Sequence, residues 1–249
     1  MSYPVLFLFS VLGILLLSQH AYAELTSFVA KYEIKSIALT KAEAVNQLTI
    51  NNSQYSYHSL ISPSGWLSRF NNSIREETSE GRIENQQLIP YKYSYKLLKS
   101  DELRRHVEIE FSNDRNKIIN HHKHINNRWK MDMVEGVQDH LSYQLALMLT
   151  LQSSVESDNK RAFYFPVADG GRLKKYSFKL LGKEKLETPI GLLHTLKLEH
   201  KAYNQDDTIT IWCAADLAYL PVKVIQESNH SRNYKSIIIS YQSDNESKQ

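Results

Sequence analysis

A single cysteine in 249 residues excludes an internal disulfide, and with it the small disulfide-stapled domains common outside the cytoplasm. Cys213 follows Ile209 and Ile211 at spacing two, so it reads as a small buried hydrophobe on an apolar strand face rather than a reactive thiol. Glycine is scarce, at 8 residues, and no phosphate-cradling glycine loop is present. Nor is there a Gly-x-Ser-x-Gly elbow, a His-Glu-x-x-His pair or a Cys-x-x-Cys motif, which removes the familiar hydrolase, zinc and redox signatures. The charge surplus is small as well: 30 Lys and Arg against 27 Asp and Glu leave +3, too little and too scattered to imply a nucleic-acid partner. No apolar run reaches the roughly twenty residues that cross a bilayer as a helix.

What is present begins with an address. The apolar run from Pro4 to Leu17, closed by Ala21-Tyr22-Ala23, has the length and small-residue end of a secretory signal peptide. No Lys or Arg precedes it, so the amino terminus is the only positive charge in the n-region. Cleavage after Ala23 defines the expected organisation: a signal over residues 1–23, one β domain over 24–243, and a frayed tail over 244–249. The expected destination is the periplasm, with the processed chain soluble rather than integral to the membrane.

Alternation at period two predicts strands over Phe28 to Ile34, Ala44 to Ile50, Gln54 to Ile61, Tyr91 to Leu98, His106 to Phe111, Lys117 to Ile125, Tyr176 to Leu181, Leu193 to His200, Thr208 to Cys213, Val222 to Gln226 and Tyr234 to Tyr241. Asn51-Asn52, Pro63-Ser64-Gly65, Glu80-Gly81, Asn113-Asp114, Asp169-Gly170-Gly171 and Asn204 to Asp207 read as turns between them. One segment follows the helical period instead: Leu141, Leu145, Met148 and Leu149 form a stripe that Leu147 and Leu151 widen, with Asp139 placed to cap the first turn. The expected fold is therefore mainly β, a single antiparallel sheet strongly curled or barrel-like, with a helix from Asp139 to about Ser153 packed on its concave face.

Short motifs recur along the chain. They include Glu80-Gly81 leading to Pro90-Tyr91, Asp139-His140-Leu141-Ser142-Tyr143, and Pro166-Val167-Ala168-Asp169-Gly170-Gly171. Beyond these come Gly182-Lys183-Glu184, Thr188-Pro189-Ile190-Gly191, and Ile211-Trp212 with Tyr219-Leu220-Pro221-Val222-Lys223-Val224. In this order and spacing the chain resembles domain-of-unknown-function family 3108, a set of bacterial exported proteins. More weakly, the tryptophan strand and Leu-Pro strand start resemble the curled half-barrels that carry lipoproteins between bacterial membranes. That second resemblance implies a hydrophobic concave face. Physically the motifs read as turn and strand-start devices, so no catalytic residue and no cofactor is expected from them.

Three sets of side chains are candidates for function. His122 and His124 share a face if the strand continues through them and are weak candidates for a metal, the plainer reading being a solvated strand. His194, in phase with Leu196 and Leu198, is expected to point to the apolar side, as a core imidazole bonded to a backbone carbonyl or, less plainly, a proton carrier. Tyr91, Tyr93 and Tyr95 form an aromatic stripe, joined by Tyr55, Tyr57, Tyr176, Phe178 and Trp66. Rings with apolar bodies and polar tips suit an amphipathic ligand.

The leading expectation is thus a non-catalytic envelope protein that binds a lipid, lipoprotein or glycan, or docks an assembly partner. A hydrolase of envelope polymers using Asp169, Asp206 or Asp207, and a structural factor without ligand, are the alternatives.

Overall fold

The computed structural model describes residues 25–36, 41–65, 72–112, 116–154, 162–201, 207–228 and 233–244. The expected signal peptide, Trp66 and all of the expected tail but Asp244 lie outside the described residues.

Alternating sequence becomes a long meander. Strands β1 (Phe28–Ser36), β2 (Lys41–Asn51), β3 (Gln54–Pro63), β4 (Ser73–Glu84), β5 (Gln87–Lys99), β6 (Glu102–Ser112), β7 (Lys117–His122) and β8 (Asn127–Asp132) pair each with the next. After β9 (Gln138–Asp139) and helix α1 (Ser142–Ser154), the chain resumes with β10 (Ala162–Asp169), β11 (Arg172–Thr188), β12 (Gly191–Lys201), β13 (Asp207–Ala214), β14 (Leu220–Ser228) and β15 (Tyr234–Ser243). Strand β15 pairs with β1 and joins the halves into one sheet, in the order β8-β7-β6-β5-β4-β3-β2-β1-β15-β14-β13-β12-β11-β10-β9.

Local chemistry sets the hairpins. Asn85-Gln86, Ser100-Asp101 and Gly170-Gly171 each place two successive residues at positive φ, the type I′ geometry whose twist matches the flanking strands. The Thr188-Pro189-Ile190-Gly191 motif is the β11–β12 connection, and Leu220-Pro221 opens β14.

Two features depart from the expected barrel-like antiparallel sheet. The hydrogen-bonded ladder is open among the described residues, with β8 and β9 at its ends. The sheet is also mixed, because β9 runs parallel to β10, Val167 pairing with Gln138 and Ala168 with Asp139. The cause is connectivity: α1 lies between β9 and β10, and a helical crossover returns the chain in the parallel sense. Glu80-Gly81, expected as a turn, lies within β4. The irregularity is opposite it, where the register passes from Lys92 to Pro90 and leaves Tyr91 as a bulge residue. A Cβ at Gly81 would fall 2.6 Å from the Tyr55 ring and against the Ile89 carbonyl, so only glycine permits this approach.

Helix α1 is the one α-helix among the described residues, and it is apolar around most of its girth. Leu141, Leu145, Met148 and Leu149 cluster with Leu48, Tyr55, Tyr57, Tyr93 and Ile109 from the early strands. Ala146, Leu147 and Leu151 cluster with Phe163, Val167, Phe178, Leu198, Ile211 and Cys213 from the late ones. Each fully buried leucine contributes about 1.5–3 kcal/mol, so both halves of the sheet are held by the same helix. Cys213 is fully buried, and burial raises its thiol pKa, as its place beside Ile211 anticipates.

The helix begins three residues later than the sequence suggests, yet Asp139 caps it. Asp139 Oδ1 accepts from the backbone N–H groups of Leu141 and Ser142 at 2.8 and 2.7 Å, and Ser142 Oγ accepts from the Asp139 N–H at 2.9 Å. These bonds satisfy donors that a helix start leaves open. No helix among the described residues is long and apolar enough to cross a membrane.

Candidate functional site

The inner face of β4 is polar. Arg75, Glu77, Ser79 and Gly81 alternate inward, and Glu77 and Ser79 are buried. A carboxylate buried in this way needs donors, and Glu77 has three from separate elements. Tyr93 OH donates to Oε2 at 2.6 Å, His140 Nδ1 donates to the same oxygen at 3.0 Å, and Arg75 Nε lies 3.2 Å from Oε1. Burial pushes the Glu77 pKa up, but the bond and charge of His140, with Arg75 and Tyr93, outweigh it and hold the group below its ordinary value. For His140, desolvation disfavours the charged ring, while Glu77 reverses the balance and raises its pKa. The two shifts, one down and one up, favour a carboxylate facing a protonated imidazole.

Neighbouring polar groups extend the cluster. Ser79 Oγ donates to Asp139 Oδ2 at 2.6 Å, and the Tyr55 hydroxyl lies 3.2 Å from Ser79 Oγ. Burial raises the Asp139 pKa despite these donors. At the end of β10, Asp169 Oδ2 accepts from Lys174 Nζ at 2.8 Å and Tyr176 OH at 2.9 Å. Burial opposes its charge, but those two bonds prevail and its pKa is lowered.

Two cavities meet at this cluster, both lined by Arg75 and His140. One, of about 390 Å³, is walled by Tyr93, Tyr95, Val107, Ile109 and Trp129, with Arg105 and His122 beside them and Glu77 and Asp169 on its lining. The other, of about 350 Å³, is lined by Tyr32, Ile61, Tyr143, Leu147, His200 and Ile211 among others. Tyr143 meets His140 and Tyr176 edge-on and stacks on Phe178, which also stacks on His200 at 4.8 Å between ring centres and meets Phe165 edge-on. A larger cavity of about 590 Å³ beside β9 and α1 is lined by apolar and uncharged polar residues, with Glu135 the one charged residue on its lining. The smaller pair is where ionisable groups converge.

The predicted aromatic residues divide among four environments. Tyr93 and Tyr95 line the 390 Å³ cavity. Tyr55, Tyr57 and Phe178 are buried in the core, and Tyr176 serves Asp169. Tyr91 falls in the bulge and leaves the alternation that Tyr93 and Tyr95 share. His194 is exposed rather than turned to the apolar side. Its N–H and Nδ1 face Asp216 at 2.6 and 3.3 Å, because buried positions on β12 change phase between Thr195 and Leu196. The core histidine bonded to a carbonyl is instead His200, whose Nδ1 lies 2.9 Å from Ser177 O. His122 and His124 do not share a strand face, since β7 ends at His122 and His124 sits on an exposed 3-10 turn, Lys123–Ile125. No group of three or more His, Cys, Asp or Glu side chains is placed to hold a metal among the described residues.

Asp207 is 3.5 Å from Gln226 Nε2 and belongs to neither small cavity. Asp206 lies outside the described residues. Glu77, Arg75, Arg105 and Trp129 carried no sequence signal. His140 and Asp169 did, inside motifs that read as turns and strand starts but bring two ionisable side chains to one cavity.

Fold and site together define a nearly all-antiparallel meander sheet bridged by one internal helix. The chain belongs to the family of proteins of unknown function DUF3108, whose model matches residues 29–231. Its fold is similar to the crystal structure of a beta-barrel-like protein of domain of unknown function DUF1849 from Brucella abortus. The TM-score is 0.61 at 8% identity, over 88% of this chain and 98% of that one. No curated protein matches the chain.

Proposed function

We propose that this is an exported, periplasmic envelope protein that holds an amphipathic envelope molecule, a lipid, lipoprotein or glycan, without chemical change. In this reading the sheet curves round α1, and the working face is the concavity bounded by β4 to β8 and the β10–β11 turn. The observation that carries it is the 390 Å³ cavity, whose aromatic wall of Tyr93, Tyr95 and Trp129 stands over Arg75, Glu77 and His140. An apolar wall with a few convergent polar groups is the usual make-up of a ligand site, and the volume lies in the usual range of about 300–1,000 Å³. Export is supported by the apolar run ending at Ala21-Tyr22-Ala23.

A hydrolase is the second reading, because Glu77 and Asp169 line the same cavity. Two-carboxylate hydrolysis of a glycosidic bond needs one carboxyl held protonated as the acid. Both are lowered in pKa by the donors around them, which favours binding over cleavage.

Native mass spectrometry of protein purified from the periplasm tests the proposal. A co-purifying ligand that is lost on changing Tyr95 and Trp129 to Ala supports it. Turnover of an envelope polymer that Glu77→Gln abolishes, with folding intact, would replace it with the hydrolase.

A further inference from the structure

The 390 Å³ cavity has an unequal charge balance. Arg75, Arg105 and His140 line it, the two guanidinium groups as permanent cations. Of its two carboxylates, Glu77 is committed to Arg75, Tyr93 and His140, and Asp169 to Lys174 and Tyr176. Arg75 meets Glu77 through Nε, and its side chain is 42% exposed. A second guanidinium, Arg105, stands 5.5 Å from the centre of the Tyr95 ring. The cavity therefore presents positive charge that its own carboxylates do not cancel, beside flat aromatic faces.

The wall also holds hydrogen-bonding capacity that the protein does not use. Asn120 is fully buried on β7 between its cross-strand neighbours Ile109 and Trp129, which line the cavity. Its amide nitrogen and oxygen, and the buried Nδ1 of His122, have no hydrogen-bond partner among the described residues. Unpaired buried amides are rare because they are costly.

From the convergence of Arg75, Arg105, His140, His122 and the Tyr95–Trp129 wall, we infer that the ligand is an acidic sugar, a saccharide unit carrying a carboxylate or a phosphate. The rings cover the apolar face of the sugar, the guanidinium groups take the anion as forked donors, and the unpaired His122 nitrogen matches a hydroxyl group. A purely hydrocarbon ligand would leave these polar groups without partners. The same chemistry is offered by an acidic polysaccharide and by the phosphorylated sugar head of a glycolipid.

This inference rests on the binding reading above, and calorimetric titration of the full chain purified from the periplasm tests it separately. The probes are tetragalacturonate, glucosamine 1-phosphate, neutral maltotetraose and inorganic phosphate. Expected is binding of one or both acidic sugars at least about tenfold tighter than maltotetraose, reduced about tenfold or more by Arg105→Gln, the loss of one charge-assisted contact. Arg105 is exposed, so this change leaves the core untouched, and a circular dichroism melt of the variant confirms it. Preference for tetragalacturonate names a polysaccharide and preference for the sugar phosphate a glycolipid head. Equal affinity for maltotetraose, an unaltered Arg105→Gln, or binding of inorganic phosphate as tight as that of the sugars overturns the inference. Absence of binding by every probe also overturns it, and a ligand still seen by native mass spectrometry would then leave the broader reading standing.

Discussion

Trp129, on the end strand β8, lies across Gly171 in the β10–β11 turn, with its indole N–H 3.4 Å from the glycine carbonyl. The strand order puts these residues toward opposite ends of the sheet, so strand pairing does not bring them together. The core between them does, because residues of α1 pack in clusters that draw on both early and late strands. The contact closes one wall of the 390 Å³ cavity.

Gly171→Ala is therefore expected to destabilise the fold by about 1–3 kcal/mol, the usual cost of overpacking. Gly171 has φ +77°, and a Cβ there would stand 2.5 Å from the Trp129 ring. Urea unfolding of the variant in the native background and in a Trp129→Ala background separates the two causes. If steric conflict dominates, the second cost is markedly smaller. Equal costs would place the whole effect in the backbone conformation.

Gly81 differs in kind. Its φ is ordinary, and the obstacle is the Tyr55 ring together with the backbone of Ile89 and Pro90. Gly81→Ala should lower the urea midpoint by an amount corresponding to at least about 1–3 kcal/mol, since backbone on one side cannot yield as a side chain can. Gly182→Ala, where nothing lies within 4 Å and φ is not positive, should change stability by less than about 0.5 kcal/mol. Similar effects at the two sites would contradict the packing described.

These two glycines mark the boundary of what the sequence shows. Strands with apolar inner faces, such as Phe28–Ser36 and Tyr234–Ser243, are legible because alternation contrasts oil with water. Strand β4 is not, because it turns Arg75, Glu77 and Ser79 inward and charged residues outward as well, leaving no contrast to read. Its glycine, needed for close approach, then passes for a turn. Strand β10 is hidden for another reason, since Pro166 interrupts a run that otherwise alternates. The aromatic stripe was visible, but a one-residue bulge at Tyr91 reset its phase. The Glu77–His140 pair spans 63 residues, and no local spacing records a contact made by tertiary folding.

Asp139 joins β9 to α1, its carboxylate accepting three hydrogen bonds and its backbone N–H donating one. Asp139→Ala removes the acceptor for the Leu141 and Ser142 N–H groups and leaves Ser79 with Tyr55 as its one remaining side-chain partner. The expected cost is about 0.5–2 kcal/mol for the cap, and more from the lost buried Ser79 bond. Asp139→Asn retains an oxygen at the cap and removes a charge that burial disfavours, so it should be milder than Ala. Thermal melts of the two variants decide it, and Asn proving worse than Ala would mean that the charge itself is required.

The Glu77–His140 pair predicts a pH dependence with a definite sign. Glu77 is lowered in the folded state, so its contribution is present above the unfolded value of about 4.3 and is lost as pH falls through the lower folded value. His140 is raised, so its contribution is complete below about 6.5 and is lost as pH rises through the folded value. Stability from the pair is therefore greatest between the two, where carboxylate and imidazolium coexist. Other groups titrate nearby: His200 and His106 are lowered, chiefly by desolvation, and stabilise the fold in the opposite direction as pH rises. A difference measurement removes them. Urea midpoints of the native protein and of His140→Gln, taken from about pH 5 to 9, should differ most at the acid end and converge as pH increases. A gap that stayed constant or widened toward alkaline pH would mean that His140 faces Glu77 as a neutral ring.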